Sequence, residues 1–115
     1  MEDLKEKEYS NLEEFWPFYL GEHSNDTNRK LHFIGTGLGL LCLLTSILKR
    51  KPIFLLYGLL LGYAFAWIGH FFVEKNKPAT FKYPIKSFIS DWKMFYFIIS
   101  GKLNNELEKY EIISK

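Results

Sequence analysis

Two long apolar runs, joined by a short basic link, constrain this chain more than any other feature of its sequence. The runs cover residues 31–48 and 53–73, and neither contains an Asp, Glu, Lys or Arg. As helices rising about 1.5 Å per residue they would extend about 27 and 32 Å. That length matches the roughly 30 Å hydrocarbon thickness of a bilayer. The link, Lys49-Arg50-Lys51-Pro52, is tight enough that we expect the two helices to be antiparallel.

The chain has 115 residues, which allows one domain at most. A soluble domain of this size has too little other surface to bury two such helices on all sides. The sequence therefore predicts an all-α fold: an integral membrane helical hairpin with flanking amphipathic helices in a single domain, 1–115. We expect an N-terminal amphipathic helix within 1–30, transmembrane helices at 31–48 and 53–73, and an interfacial helix with a polar tail at 84–115.

The flanking segments have helical periodicity with one apolar face. Before the hairpin, Ser10 to Glu13 resembles a capping box, and an apolar stripe follows that we expect to lie along the headgroup region. The stripe comprises Leu12, Phe15, Trp16 and Tyr19. After the hairpin, Pro84 begins a helical pattern interrupted by charged residues. We expect this segment to cover the polar end of the hairpin as an interfacial helix rather than to form a third span.

Charge and cysteine content exclude several classes of protein. A net charge of +2, divided between both ends of the hairpin, argues against a nucleic-acid partner. Cys42 is the single cysteine, so neither a disulfide framework nor a CxxC metal site is present. The acidic start lacks the pattern of a cleaved secretory signal. Basic residues favour cytoplasmic termini and a cytoplasmic histidine end, and we favour a bacterial inner membrane, or the endoplasmic reticulum in a eukaryote.

Pairs of glycines recur at four-residue spacing in both apolar runs. They are Gly35 and Gly39 in the first run, and Gly58 and Gly62 in the second. Such spacing lets helix backbones approach closely in lipid. The pattern predicts close packing of the hairpin, and it also raises the possibility of a homodimer through the same faces.

All the histidines lie at the polar ends of the apolar runs. His32 and His70 are each 19 residues from residue 51, so an antiparallel hairpin brings them to the same depth. The same symmetry places Asn28 level with Glu74. His23 lies upstream on the polar side. A single histidine here would usually be an interfacial hydrogen-bonding residue, but convergence at one depth predicts a metal site.

The residues around the histidines suggest further roles. Glu74 follows His70 by one helical turn, which predicts a fourth ligand or an acceptor for the His70 ring. Asn28 is a candidate to hydrogen-bond a substrate or a ligand histidine. Arg29 and Lys30 are candidates to hold a lipid carboxylate, or simply meet anionic headgroups. Asp91 is either a further ligand or a surface aspartate. Three histidines and a carboxylate suit iron(II), zinc or manganese.

Two spaced motifs resemble a known family. The first is Y-x3-H-x4-N-x3-H, formed by Tyr19, His23, Asn28 and His32; the second is FAWIGHFFVEKNKPAT, which contains His70, Glu74 and Asn76. In this order, and with the DWKMF stretch at Asp91, they are similar to the DUF962, or Mpo1-like, family of small membrane proteins. The similarity extends from about residue 18 to 101.

The resemblance implies a function. The characterised fungal member is an iron(II)-dependent dioxygenase that shortens 2-hydroxy fatty acids by one carbon in α-oxidation, using its motif histidines. The resemblance therefore implies Fe²⁺ held by His23, His32 and His70, with a fatty acid and dioxygen as substrates in a membrane. Glu74 and Asn28 are then candidate catalytic residues. The candidate substrate contacts are Arg29, Lys30, Asn76 and Asp91.

Two alternatives of other classes remain. The same residues in a zinc-type, metal-dependent lipid hydrolase would activate water instead of dioxygen. In a non-catalytic membrane protein, the polar cluster would only tie the helices together, and the glycine faces would form a dimer.

Overall fold

The fold is a long helical hairpin whose polar end is covered by shorter helices. A computed structural model describes residues 9–114, so residues 1–8 of the predicted N-terminal segment lie outside it. The described helices are α1 (Leu12–Gly21), α2 (Asp26–Lys49), α3 (Ile53–Ile68), α4 (Pro84–Ile99) and α5 (Leu103–Lys109), with a π-helical turn at Gly69–Glu74 and a 3₁₀ turn at Ala79–Phe81. No strand occurs among these residues, which confirms the all-α prediction.

α2 and α3 form the hairpin, and its turn follows from local chemistry. Arg50 adopts the left-handed conformation at φ 53°, and its N–H donates to the carbonyls of Ser46 and Ile47. This arrangement closes α2 and satisfies carbonyls that a helix end leaves open. Pro52 then precedes α3, where the lack of a backbone N–H costs nothing. The basic link predicted from sequence is therefore a tight turn between antiparallel helices.

Both hairpin helices are long and apolar enough to cross a membrane. α2 has 24 residues, and the second span runs for 22 residues through α3 and the π-helical turn. Only 17% and 22% of their most apolar windows are buried within the chain. The core helices of a soluble protein would be mostly buried, whereas here the leucine-rich surface faces outward. α2 begins five residues earlier than the predicted span because Asn25 caps it, accepting a hydrogen bond from the Thr27 N–H at 2.8 Å.

The paired glycines lie at the α2–α3 contact within one chain. A Cβ atom on Gly35 would lie 2.9 Å from Cβ of Phe65, and one on Gly58 would lie 3.2 Å from the Gly39 carbonyl oxygen. The close-packing prediction is therefore confirmed. The same faces are occupied by this internal contact, so a homodimer would need a different surface.

The covering helices enclose a compact aromatic core at the polar end of the hairpin. Phe15, Trp16 and Tyr19 of α1 are at most 2% exposed, packed in one cluster with Met94 of α4 and with Leu103 and Leu107 of α5. The prediction that the α1 stripe lies on the headgroup region is therefore wrong. Phe15, Trp16 and Tyr19 are apolar because they form this core, where Lys93 also lies 4.4 Å above the Trp16 ring. Leu12, the remaining residue of the stripe, is 40% exposed.

The start of α1 also differs from the predicted capping box by one residue. The cap is Asn11, whose side chain accepts a hydrogen bond from the Glu14 N–H at 2.8 Å. Glu14 in turn accepts from the Ser10 backbone N–H at 3.3 Å. Glu13, which the predicted box required, is exposed. Asn is as good a cap as Ser, so residue preference alone did not fix the register.

Candidate metal centre

Three histidine rings meet inside the polar end of the hairpin. The Nε2 atom of His23 lies 3.2 Å from Nε2 of His32 and 3.0 Å from Nε2 of His70. One nitrogen from each ring lies within 4.8 Å of the other two. The three residues are 1%, 5% and 2% exposed. The convergence predicted from sequence is thus confirmed, whereas metal binding stays a prediction.

Each histidine is held by a different element. His23 lies in the connection between α1 and α2, His32 lies in the second turn of α2, and His70 lies in the π-helical turn that continues α3. A π-helical turn carries one more residue than an α-turn and recurs at functional sites. Here it places His70 opposite His32, with ring centroids 5.0 Å apart.

The opposite nitrogen of each ring contacts an oxygen atom. His23 Nδ1 lies 2.7 Å from the Tyr19 carbonyl oxygen, and His70 Nδ1 lies 2.7 Å from Asn76 Oδ1. His32 Nδ1 lies 3.3 Å from Asp91 Oδ1. The Asn76 amide is oriented by its own Nδ2, which donates to the Glu22 carbonyl at 3.1 Å.

These oxygen atoms decide the tautomer of each ring. A carbonyl or carboxylate oxygen only accepts, so each Nδ1 must carry the proton. The Nε2 lone pair of His23 therefore faces those of His32 and His70 across 3.2 and 3.0 Å. Burial, together with the neighbouring imidazoles of His32 and His70, lowers the pKa of His23 well below its usual value, so protonation does not relieve this repulsion.

A divalent cation bound between the three Nε2 atoms would relieve the repulsion between their lone pairs. Neutral imidazoles whose other nitrogen donates to a fixed acceptor are the usual histidine ligands of metals. Three such ligands leave coordination positions open for a substrate. The donor set therefore fits a catalytic metal ion, on the chemistry of the residues alone.

Asp91 is largely buried beside His32 rather than exposed. The oxygen that contacts His32 also accepts the hydrogen bond of the Tyr19 hydroxyl. Burial raises the pKa of the Asp91 carboxyl, while the Tyr19 hydrogen bond and the nearby His23 and His70 lower it in part. Burial, together with the charge of Asp91, raises the pKa of Tyr19 well above its usual value. The surface-aspartate interpretation is wrong.

Glu74 contacts the start of α2 rather than the His70 ring. Its carboxylate accepts from the Asn25 backbone N–H at 2.5 Å and lies 3.5 Å from the Ser24 hydroxyl. Among the described residues, the cluster of potential ligand atoms comprises the histidines without Glu74. The hydrogen bonds of Glu74 to Asn25 and Ser24, rather than to the His70 ring, remove the basis for pairing Glu74 with His70. Glu74 instead complements the positive end of α2.

Asn28 is fully buried where α2 meets the second span. Its Nδ2 lies 3.5 Å from a Glu74 oxygen, as the mirror symmetry of the hairpin predicted. Among the described residues its Oδ1 has no hydrogen-bond partner. A Cβ on Gly69 would lie 1.8 Å from this Oδ1, so only glycine fits there. Direct contact of Asn28 with a substrate stays a prediction.

A family model for the "2-hydroxy-palmitic acid dioxygenase Mpo1-like" proteins matches residues 9–103. The chain belongs to this family. The match covers every residue of the candidate metal centre. No curated protein and no solved structure is similar enough to the chain to match it.

In this Mpo1-like chain, the basic residues that are candidates to hold a lipid carboxylate, Arg29 and Lys30, contact other residues of the protein. Arg29 is buried. It donates to the His23 carbonyl at 2.8 Å and to the Ser114 hydroxyl at 2.9 Å. It therefore fixes the segment that carries His23. Lys30 is exposed and lies 3.0 Å from Asp26. Contact of either residue with a lipid carboxylate remains a prediction.

Sequence reasoning missed the oxygen atoms that orient two of the Mpo1-like histidines. Asn76 reaches His70 because Lys75 adopts the left-handed conformation, at φ 61°, and returns the chain toward the ring. The Asn76 N–H then donates to the His70 carbonyl at 2.9 Å. Tyr19 belongs both to the apolar stripe and to the Y-x3-H motif, but neither pattern predicts that its carbonyl oxygen contacts His23. Neither the π-helical turn nor the left-handed Lys75 is visible in the sequence pattern.

Proposed function

We propose that this chain is an iron(II)-dependent dioxygenase that shortens 2-hydroxy fatty acids by one carbon. The observation that supports the proposal best is the set of three buried Nε2 atoms that meet at one point, each with its Nδ1 against an oxygen atom. The name of the matched family supports a dioxygenase reaction on a 2-hydroxy fatty acid.

We also propose that α2 and α3 embed the protein in a membrane, with the metal centre near the cytoplasmic surface. The outward-facing leucines of the hairpin support the embedding. A substrate with an apolar chain and a polar head would then meet the histidines at the depth where its head lies. Lys49 to Lys51 would lie at the opposite surface.

The residues of this chain have separable roles in the proposed reaction. His23, His32 and His70 would hold iron(II), which would supply activation of dioxygen and a binding position for the hydroxyl and carboxylate of the substrate. Asp91 keeps the His32 proton on Nδ1, and Asn76 does the same for His70. Burial of the rings excludes bulk water from the reacting bond.

The reaction balances without an external reductant. A 2-hydroxy acid and one dioxygen give an acid shorter by one carbon, carbon dioxide and water. The bond between the carboxyl carbon and the hydroxyl-bearing carbon breaks. Both carbons are oxidised, and dioxygen takes up the electrons. The protein needs to hold only the metal and the hydroxy acid.

A zinc-dependent lipid hydrolase is the second candidate, and the ligand set itself favours it. Three histidines without a carboxylate ligand are an established catalytic zinc site, whereas many mononuclear iron oxygenases use two histidines and a carboxylate. The two candidates differ in their need for dioxygen. Hydrolysis would proceed without it, and shortening of a 2-hydroxy acid would not.

One experiment tests the proposal and separates the candidates. Protein purified in detergent is loaded with iron(II) or zinc and given 2-hydroxypalmitic acid with and without dioxygen, beside His32→Ala and the control Thr45→Ala. Thr45 lies in the same helix and bonds only the Leu41 carbonyl. We expect oxygen-dependent formation of the shortened acid with iron alone, lost in His32→Ala and kept in the control. Activity that is independent of oxygen would refute the dioxygenase.

A further inference from the structure

An apolar groove leads away from the metal centre along the hairpin. Its volume is about 300 Å³, and its polar end is formed by His32 and Asp91. Its far end is formed by Leu43 of α2 and Leu55 of α3. The groove therefore begins at the residues of the proposed reaction and continues toward the opposite surface of the membrane.

The glycines that bring α2 and α3 together also form the floor of this groove. Gly35, Gly39, Gly58 and Gly62 all line it. A Cβ atom added at any of them would meet the facing helix, so the floor of the groove is the backbone of the α2–α3 contact. Phe88 and Trp92 of α4 contribute apolar surface beside the polar end. Leu43 and Leu55 are 37% and 45% exposed, so the groove is partly open to its surroundings.

The length of the groove matches a fatty acyl chain. Leu43 follows His32 by 11 residues, which corresponds to about 16 Å along a helix. An extended chain advances about 1.2 Å per bond, so the groove accommodates about 13 bonds. With the carboxyl and hydroxyl-bearing carbons at the histidines, the fitting acid has about 15 or 16 carbons.

We propose that this groove binds the acyl chain of the substrate, and that Leu43 and Leu55 lie at its methyl end and set the preferred chain length. The inference rests on the proposed function for the identity of the head group. The occupant is a fatty acyl chain because the groove is mainly apolar and continuous with the residues that would hold the polar head group. A lipid tail from the bilayer is the alternative occupant.

Photo-crosslinking tests the placement directly, without turnover. Two analogues of 2-hydroxypalmitic acid, with a diazirine near the carboxyl end or near the methyl end, are bound to zinc-loaded protein and irradiated. Mass spectrometry then locates the labels. We expect the first analogue to label the region of His32 and Trp92, and the second to label the turns that contain Leu43 and Leu55.

A matched pair of variants tests the chain-length role. Leu43→Trp would fill the far end of the groove, whereas Leu44→Trp adds the same group to a residue outside the groove; the two leucines are 37% and 47% exposed. The tryptophan would displace three or four methylene groups of the acyl chain from the half-buried groove, which should weaken binding of 2-hydroxypalmitic acid about tenfold. We expect that loss in Leu43→Trp alone, with the affinity of 2-hydroxylauric acid unchanged in both variants.

The outcomes distinguish this inference from the proposed function. Labels from both analogues scattered over outward leucines, such as Leu44 and Leu60, would show lipid-like partitioning and overturn the groove. An equal loss of affinity for 2-hydroxypalmitic acid in Leu43→Trp and Leu44→Trp would overturn the role of Leu43 in setting chain length. Correct labelling without oxygen-dependent shortening in the iron-loaded parent would support the groove while refuting the dioxygenase.

Discussion

Asp91 supports the metal centre through His32, and its removal is the sharpest test of the geometry. One oxygen of Asp91 contacts both His32 Nδ1 and the Tyr19 hydroxyl. In Asp91→Ala both of these donors lose their acceptor. Water does not replace it, because His32 and Tyr19 are only 5% and 1% exposed. Each unsatisfied buried donor costs about 1 to 3 kcal/mol. We therefore expect the free energy of unfolding to fall by about 2 to 6 kcal/mol.

The same variant should weaken metal binding. Without Asp91, the His32 ring is free to rotate and to move its proton to the other nitrogen, where it would block the ligand lone pair. Loss of such an orienting partner lowers metal affinity about 10- to 100-fold. Asp91→Asn keeps an acceptor oxygen in place and removes the charge. We therefore expect it to retain most of the metal affinity and most of the free energy of unfolding.

Two measurements on purified protein check these expectations. Competition with a chromogenic chelator gives the metal affinity, and denaturation of the metal-free protein gives the stability. Asp26→Ala serves as the control, because the exposed ion pair of Asp26 with Lys30 should contribute less than about 1 kcal/mol, and the buried Arg29 keeps its bonds to the His23 carbonyl and the Ser114 hydroxyl. Parent-like metal affinity in Asp91→Ala would refute the role of Asp91 as the partner of His32.

Three further variants probe the second span. Gly69→Ala would place a Cβ 1.8 Å from Asn28 Oδ1, so we expect about 1 to 3 kcal/mol of destabilisation in thermal unfolding. Asn76→Ala removes the acceptor of His70 Nδ1 and should lower metal affinity about 10- to 100-fold in the chelator competition. Lys75→Gly relieves a left-handed conformation and should raise stability by up to about 1 kcal/mol with unchanged metal affinity.

Gly69→Ala and Lys75→Gly each have a result that would contradict the reasoning behind the prediction. Gly37→Ala is the control for Gly69→Ala, because its added Cβ would lie at an ordinary 3.6 Å from the Phe95 ring. Equal stability of the two alanine variants would show that the contact with Asn28 is not tight. A destabilised Lys75→Gly protein would show that the lysine side chain matters more than its backbone conformation.

The hairpin and the shared depth of His32 and His70 were predictable because both depend on helical geometry alone. A constant rise per residue and a tight turn fix which residues of two antiparallel helices share a depth. His32 and His70 satisfy that rule over 38 intervening steps of sequence. The role of the glycines followed for the same reason, since close packing requires small residues at regular spacing.

The supporting contacts were not predictable because they depend on departures from regular geometry. Glu74, at the end of the π-helical turn Gly69–Glu74, accepts from the Asn25 N–H at the start of α2 instead of contacting the His70 ring. The left-handed Lys75 brings Asn76 into the place that Glu74 was expected to fill. The four-residue spacing therefore identified the right segment and the wrong partner.

The wrong prediction that α1 lies in the headgroup region has a different cause. An amphipathic helix beside a membrane span can face lipid or protein with the same sequence pattern, because both surroundings favour apolar side chains. What decides between them is a second apolar surface, and here α4 and α5 provide it through Met94, Leu103 and Leu107. Packing α1 into that core fixes Tyr19, whose carbonyl and hydroxyl contact His23 and Asp91. The aromatic core thus positions the metal centre, and substitutions that loosen it should weaken metal binding without touching a ligand.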